Sequence, residues 1–158
     1  MSSHGGFIGV ILGLLLFTRW RKLELLRLTD ALVVPVAIGL ALGRIGNLIN
    51  GELFGTATLL PWGMTFPGAE GLRHPTQIYA FLKDLMIAAV CFFSLTRFTA
   101  ADRPGRTSGL FLVLYAFLRF IVEIFRDQPY GYTGIFGMEL SRGQLLTIPL
   151  LLLGIGVL

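Results

Sequence analysis

Apolar residues along this chain concentrate in five long stretches, and polar or broken segments separate each stretch from the next. The stretches cover approximately residues 4–18, 31–50, 77–96, 108–125 and 143–158. Several approach the roughly 20 residues that a helix needs to cross the hydrocarbon of a bilayer. Their residues do not alternate between apolar and polar, as the strands of a barrel would. The pattern predicts an all-α polytopic membrane protein of about five transmembrane helices, forming a single domain over residues 1–158.

The composition argues against a soluble protein. Of the 158 residues, 54% are hydrophobic and 14% are charged, so too few polar side chains exist to cover a soluble core of this size. The formal net charge of +4 would also suit a nucleic-acid-binding protein. Because the basic residues fall in short segments between the apolar stretches, they indicate instead how the spans are oriented, and we expect no nucleic-acid partner.

Basic residues are distributed unequally between the connecting segments. Segments 19–30 and 97–107 hold seven of them: Arg19, Arg21, Lys22, Arg27, Arg97, Arg103 and Arg106. The positive-inside rule places these two segments in the cytoplasm. Loops 51–76 and 126–142 are then predicted to lie on the outer side of the membrane, together with the N-terminus.

The segment Gly43–Gly55 does not fit a span that faces lipid. It lies at the end of the second apolar stretch, yet it contains Arg44, Asn47, Asn50 and Glu52. A charged side chain at the centre of the membrane costs about 2.5–3.5 kcal/mol on insertion scales, so such residues usually mark a functional site. The glycines of the segment allow another backbone or a ligand to approach closely.

The predicted topology brings polar residues from all five spans to the same outer half of the bundle. These residues are His4, Arg44, Asn47, Asn50, Glu52, His74, Gln77, Tyr79, Arg119, Glu123, Arg126 and Gln144. Arg119 and Glu123 are spaced i,i+4 on a helix and can pair, as can Glu123 with Arg126. Such a pair could serve only to hold helices in register. The surplus of arginine over glutamate favours an anionic ligand instead, and the planar guanidinium matches a phosphate.

Several other chemistries find little support. The two histidines, His4 and His74, lie far apart without the spacing of metal ligands, so we expect no metal site. No phosphate-binding loop or dinucleotide-binding motif is present. Cys91, the one cysteine, lies in an apolar run and is predicted to be a small buried hydrophobic residue. Lys83 and Asp84 are adjacent, so on a helix they are not expected to face one another.

Five of these segments together resemble the prolipoprotein diacylglyceryl transferases of bacteria. The family's most specific signature matches Gly43–Gly55 almost letter for letter. The other similar segments are Met1–Gly6, His74–Tyr79, Arg119–Arg126 and Ser141–Gln144. They occur in the family's order, so the resemblance covers essentially the whole chain.

The resemblance implies a reaction and its site residues. Family members transfer a diacylglyceryl group from phosphatidylglycerol to the lipobox cysteine thiol of a prolipoprotein, the first step of lipoprotein maturation. The catalytic residues implied are His4, Arg44, Asn47, Glu52, Arg119 and Glu123. The residues implied to bind phosphatidylglycerol are Arg44, Asn50, Gly55 and Arg119. His4 is the candidate base.

The resemblance also implies the setting of the reaction. We expect a multi-pass protein of the bacterial cytoplasmic (inner) membrane, with its active site facing the outer leaflet and with no cofactor. Its partners would be phosphatidylglycerol, other membrane lipid and the prolipoprotein signal peptide with its lipobox cysteine.

Family members are longer and have further N-terminal spans, so a fragment or a reduced homologue is also expected. The alternative function is therefore a non-catalytic homologue or fragment that binds anionic phospholipid or a protein partner. A third hypothesis, a small ion or solute channel, would also place polar residues between helices. The clustering of the polar residues at one depth weighs against a channel.

Overall fold

The computed structural model describes residues 3–97, 103–127, 132–135 and 138–158 of the chain. It contains five helices: α1 (Ser3–Arg21), α2 (Leu25–Ile49), α3 (Thr76–Arg97), α4 (Arg106–Ile124) and α5 (Arg142–Val157). A two-stranded antiparallel hairpin, β1 (Tyr132–Ile135) and β2 (Met138–Ser141), connects α4 to α5. Among the residues described, α2, α3 and α4 are long and apolar enough to cross a membrane. The all-helical membrane class predicted from the sequence is confirmed, and the short hairpin is an addition to it.

Small side chains at the contact between α2 and α3 let these two helices approach closely. Ala37 of α2 and Ile87 and Cys91 of α3 are fully buried there, with Val33 and Ala88 beside them. Close packing of small residues is the usual way that helices associate in a membrane, where lipid tails compete for apolar surface. Cys91 is therefore part of the core, as predicted.

The opposite faces of the same helices are apolar but exposed. Large side chains that point outward include Val36, Leu42, Leu82, Phe92 and Phe93. In a soluble protein such continuous apolar surface would be a docking or aggregation site, whereas a bilayer covers it at no cost. The pattern of exposure thus fits the membrane class.

Asp30 joins the beginnings of α2 and α4. Its side chain is buried, and its two oxygens accept hydrogen bonds from Gly105 N, Ser108 N and Ser108 Oγ, each at 2.7 Å. The first N–H groups of a helix have no partner within the helix, and a carboxylate satisfies them well. Asp30 thus caps α4 from a neighbouring helix and fixes the two beginnings at one end of the bundle.

The loop between α2 and α3 and the segment after α4 meet at the other end. Gly55 pairs with Arg126 across an antiparallel bridge, and Thr56 N donates to Phe125 O at 3.0 Å. Arg73 pairs within the loop with both Ala57 and Met64. The two loops predicted to lie on the outer side therefore share one end of the bundle. Which side of the membrane that end faces stays a prediction.

The connection between α1 and α2 is shorter than predicted. The predicted cytoplasmic segment 19–30 is mostly helical, because α1 continues to Arg21 and α2 begins at Leu25. Charged residues can continue a helix beyond the apolar stretch, since the backbone hydrogen bonds do not depend on side-chain polarity. Apolar patterning therefore located the helices but underestimated the lengths of α1 and α2.

Candidate active site

A polar cavity lies between α2, α3 and α4, near the end where the two loops meet. Its free volume is small, about 30 Å³. Its lining combines charged and polar side chains with a few apolar ones: Arg44, Asn47, Leu53, Thr76, Gln77, Ala80, Lys83, Arg119, Val122, Glu123 and Arg126. Four residues of the predicted catalytic set, Arg44, Asn47, Arg119 and Glu123, are therefore brought together.

Arg44 and Asn47 enter the cavity from the last turns of α2. Their i,i+3 spacing places both on one face of the helix, and both are partly buried. The rest of this helical face, at Ala37 and Ala41, packs against neighbouring helices. The same helical face therefore serves as core along its length and as cavity wall at its end.

Glu123 stands between two arginines at the end of α4. Its Oε2 lies 3.7 Å from Arg119 Nη2 and 3.6 Å from Arg126 Nη1. The Glu123 side chain is 5% exposed, while each arginine keeps about a quarter of its surface open. Both pairs predicted from the i,i+4 and i,i+3 spacings are confirmed. One carboxylate shared by two guanidinium groups leaves positive charge available to a ligand.

Lys83 and Asp84 do face one another, contrary to the sequence prediction. Lys83 Nζ donates to Asp84 Oδ1, and it lies 4.3 Å from the centre of the Tyr115 ring. The prediction considered only the directions in which adjacent side chains leave a helix. The four-carbon stem of lysine is long enough to bend back to a neighbour when burial forces the two charges together.

The charges around the cavity do not balance. Within the described part of the chain, Arg44, Lys83, Arg119 and Arg126 line it, and the carboxylates that pair with them are those of Glu123 and Asp84. Four cations against two carboxylates leave an excess of positive charge in a partly buried space. Such a site favours an anion, and three of the four cations are arginines, whose planar fork suits phosphate.

Two residues of the predicted site point elsewhere. The side chains of Asn50 and Glu52 are exposed and are not part of the cavity wall. The helix ends at Ile49 and the chain turns at Gly51, where φ is +67°, so the spacing of the helix no longer applies. Glu52 contacts the site through its backbone, since Gln77 Nε2 donates to Glu52 O at 2.6 Å.

Gly55, predicted to bind lipid, occupies a tightly packed junction. Its N–H donates to His74 O at 2.8 Å. A Cβ at this position would overlap Phe125 O and would lie 2.6 Å from His74 Cβ and 2.8 Å from Thr76 Cγ2. Only glycine fits at this close approach, so the structure gives Gly55 a packing role.

Of the remaining polar residues, some make structural contacts, and the side chain of one is not described. His4 lies in the first turn of α1, and its side chain is outside the described part of the chain. Tyr79 OH accepts from Trp62 Nε1 at 2.9 Å and lies 3.1 Å from His74 Nδ1, which ties the loop to α3. Gln144 forms a capping box with Ser141 at the start of α5. The role of His4 as a base stays a prediction.

Sequence reasoning left Lys83 and Asp84 unassigned, although both belong at the site. The signal for them was present, because each is a charge inside an apolar stretch. Gln77 was recognised as polar, but its link to the backbone of Glu52 depends on how the loop folds back. No feature of the sequence alone predicts that link.

A family model described as prolipoprotein diacylglyceryl transferase matches residues 1–158, the whole of this chain. The chain belongs to this family. Relatives from Cupriavidus pinatubonensis, Nitrosomonas europaea and Rickettsia bellii are each named phosphatidylglycerol–prolipoprotein diacylglyceryl transferase. They are 44%, 42% and 44% identical to it over 99%, 100% and 98% of its length, respectively. The family resemblance seen in the sequence is thereby confirmed.

The match covers a smaller share of these relatives than of this chain. The aligned region is 56% of the Cupriavidus pinatubonensis protein, 56% of the Nitrosomonas europaea protein and 59% of the Rickettsia bellii protein. The chain thus spans little more than half the length of these members of the diacylglyceryl transferase family.

Proposed function

We propose that this chain acts in the transfer of a diacylglyceryl group from phosphatidylglycerol to the lipobox cysteine thiol of a prolipoprotein. One observation carries the proposal: among the described residues, Arg44, Lys83, Arg119 and Arg126 line a single cavity, and the carboxylates that pair with them are those of Glu123 and Asp84. Phosphatidylglycerol presents a phosphate that this excess of cations would hold. The names of the relatives supply the donor lipid, the transferred group and the prolipoprotein acceptor, and the lipobox cysteine thiol is part of the proposal.

The bond changes define what the site must supply. The thiolate sulfur attacks the glyceryl carbon next to the phosphate, a C–S bond forms, and the C–O bond to the phosphate breaks. The electron pair of that bond leaves with glycerol phosphate. Arginines around the phosphate stabilise the negative charge as it develops, and donors placed in this way typically contribute about 10²–10³ in rate.

The attacking thiol needs to lose its proton. A free cysteine thiol has a pKa of about 8.5, so a base or a cationic setting is needed near neutral pH. His4 is the proposed proton acceptor. The cations of the cavity would further favour the thiolate over the thiol.

The proposed site of the reaction is the outer leaflet of the bacterial cytoplasmic membrane. The signal peptide of a prolipoprotein and phosphatidylglycerol are both held in the bilayer. A cavity near the end of a helical bundle is where both could meet without leaving it. The positive-inside rule, applied to segments 19–30 and 97–107, supports an outward-facing cavity.

A transfer assay tests the proposal directly. The 158-residue chain in phosphatidylglycerol vesicles would be given a lipobox peptide, and the lipidated peptide would be measured by mass spectrometry. Arg44→Gln and Arg119→Gln should each reduce the rate at least about 100-fold. The matched control is Arg27→Gln, because Arg27 is exposed and, among the described residues, pairs with Glu24 at the opposite end of the bundle. Full activity in Arg44→Gln would refute the proposal.

The cations of the cavity also support a second function, in which the chain binds phosphatidylglycerol at this cavity without turnover. Binding that depends on the headgroup, with no lipidated peptide formed while a longer relative is active in the same vesicles, would support this alternative.

A further inference from the structure

Asp84 is the most deeply buried carboxylate near the cavity, and no role in the proposed reaction has been assigned to it. It lies on α3 with an exposure of 0%, and Lys83 beside it is 6% exposed. Burying two charges costs free energy that their mutual attraction does not necessarily recover. A buried ion pair in a helical bundle is therefore weak evidence that the pair stabilises the fold and stronger evidence that it has a functional role.

The two oxygens of Asp84 have different partners. Oδ1 accepts from Lys83 Nζ. Oδ2 lies 3.8 Å from Nε of Arg44, and within the described part of the chain neither Oδ2 nor that Nε has a hydrogen-bond partner. The separation is too long for a hydrogen bond and too short for a bridging water. A buried donor and a buried acceptor thus face each other at a distance slightly less than 1 Å longer than a usual N–H···O hydrogen bond.

This arrangement orients the guanidinium of Arg44. Asp84 faces the Nε side of the group, so the four N–H donors on the terminal nitrogens are left for other partners. Arg44 is also a wall residue of the cavity. A planar group held along one edge presents its other edge in a fixed direction, which is what bidentate binding of a phosphate requires.

Lys83 determines how much positive charge Arg44 retains. If Asp84 faced Arg44 alone, the carboxylate would neutralise the guanidinium and weaken its attraction for an anion. Lys83 occupies the other oxygen, and the Tyr115 ring stabilises its ammonium group at 4.3 Å. The side chains of Arg44, Lys83 and Asp84 together carry one net positive charge.

We propose that Asp84 is a positioning residue that holds Arg44 for a lipid phosphate, and that Lys83 is the counter-ion that keeps Arg44 available. The inference rests on the proposed function, in which Arg44 binds the headgroup of phosphatidylglycerol. Asp84 itself does not touch the lipid. Because the charge of Lys83 balances that of Asp84, the effect of removing Asp84 on headgroup binding depends on whether Lys83 is present.

The test measures binding of the full chain in nanodiscs to phosphatidylglycerol relative to phosphatidylcholine. Asp84→Asn should lower this affinity ratio about tenfold, because Arg44 loses its orientation. The single variant Lys83→Met should lower the affinity ratio by more than Asp84→Asn does, because Asp84 then neutralises Arg44. In the Lys83→Met background, Asp84→Asn should raise the ratio again. A pair that only stabilises the fold would show such a reversal in the melting temperature and would leave the affinity ratio unchanged.

Two comparisons separate folding from binding. Asp84→Glu keeps the charge and should retain most of the affinity ratio, even if its melting temperature falls. Asp30→Asn is the matched control, since Asp30 is also a buried aspartate but caps α4 at the opposite end. It should lower the melting temperature and leave the affinity ratio unchanged.

The outcomes distinguish this inference from the proposed function. If Arg44→Gln lowers the affinity ratio but the Asp84 and Lys83 variants change only the melting temperature, the positioning role is overturned and the headgroup site stands. If Arg44→Gln leaves the ratio unchanged, both are overturned. A reversal of sign in the double variant supports the positioning role.

Discussion

The carboxylate of Glu123, at the end of α4, lies directly against the backbone of Gly143 in the first turn of α5. A Cβ built on Gly143 would overlap both oxygens of this carboxylate. The same carboxylate pairs with Arg119 and Arg126. The start of α5 therefore sets the position of the one carboxylate among the residues that line the cavity.

Replacing Gly143 with alanine should displace Glu123 from both arginines. We expect Gly143→Ala to lower binding of phosphatidylglycerol about tenfold, because the two arginines lose the group that fixes their positions. The measurement is the affinity ratio in nanodiscs. The matched control is Gly156→Ala, also in α5, where a Cβ would meet no atom within 4 Å. Equal binding in the two variants would contradict the prediction.

Replacing Gly55 with alanine should destabilise the junction between the loop and α4. The added methyl would collide with Phe125 O and with the side chains of His74 and Thr76. Overpacking of this kind costs about 1–3 kcal/mol, which a thermal unfolding curve in detergent would detect. The control is Gly43→Ala, which meets no atom within 4 Å and should be neutral or slightly stabilising in its helix. A Gly55→Ala protein as stable as this control would show that the junction can relax.

Removing the carboxylate of Asp30 should destabilise the whole bundle. Asp30→Ala leaves the N–H groups of Gly105 and Ser108, at the start of α4, without the carboxylate that accepts from them. Since hydrogen bonds to a charged group contribute about 1.5–3 kcal/mol each, we expect the two lost backbone bonds to lower the free energy of unfolding by at least about 3 kcal/mol. Titration with a denaturing detergent measures it. Glu24→Gln, which breaks only the exposed pair with Arg27, should cost much less.

Removing the hydroxyl of Tyr79 should loosen the loop between α2 and α3. Tyr79→Phe loses the contacts with Trp62 Nε1 and His74 Nδ1, which together link the loop to α3. A loss of about 1 kcal/mol in local stability should make trypsin cleave after Arg73 roughly fivefold faster. Trp62→Phe removes only one of the two contacts and should have a smaller effect. An unchanged cleavage rate in Tyr79→Phe would mean that other contacts hold the loop.

Much of the fold was predictable because a membrane imposes a simple rule on the sequence. Apolar stretches located all five helices, since backbone polar groups at membrane depth must be satisfied internally. The ends of the helices were less accurate, as the extension of α1 to Arg21 shows. The hairpin between α4 and α5 was not predicted, because short strands in a polar loop carry only a weak pattern.

The candidate site was predictable where helical spacing applies and not where it ends. Arg44, Asn47, Arg119 and Glu123 lie on helices, so their spacing indicated which faces they share. Beyond Ile49 the chain leaves the helix, and the exposed side chain of Glu52 could not be placed by counting residues. The contact between Lys83 and Asp84 depends on burial from several helices at once.

The cap at Asp30 and the cation at Arg44 belong to one continuous helix, so the distance between them is set by its rise. Fourteen residues of α-helix correspond to about 21 Å, a large part of the hydrocarbon thickness. Exposed residues along this length of α2, such as Val36 and Leu42, can be exchanged while both ends keep their partners. Adding or removing one residue there would turn Arg44 by about 100° away from the cavity while Asp30 stayed in place. The number of residues between Asp30 and Arg44 therefore determines where Arg44 points, and it is as necessary to the site as the arginine itself.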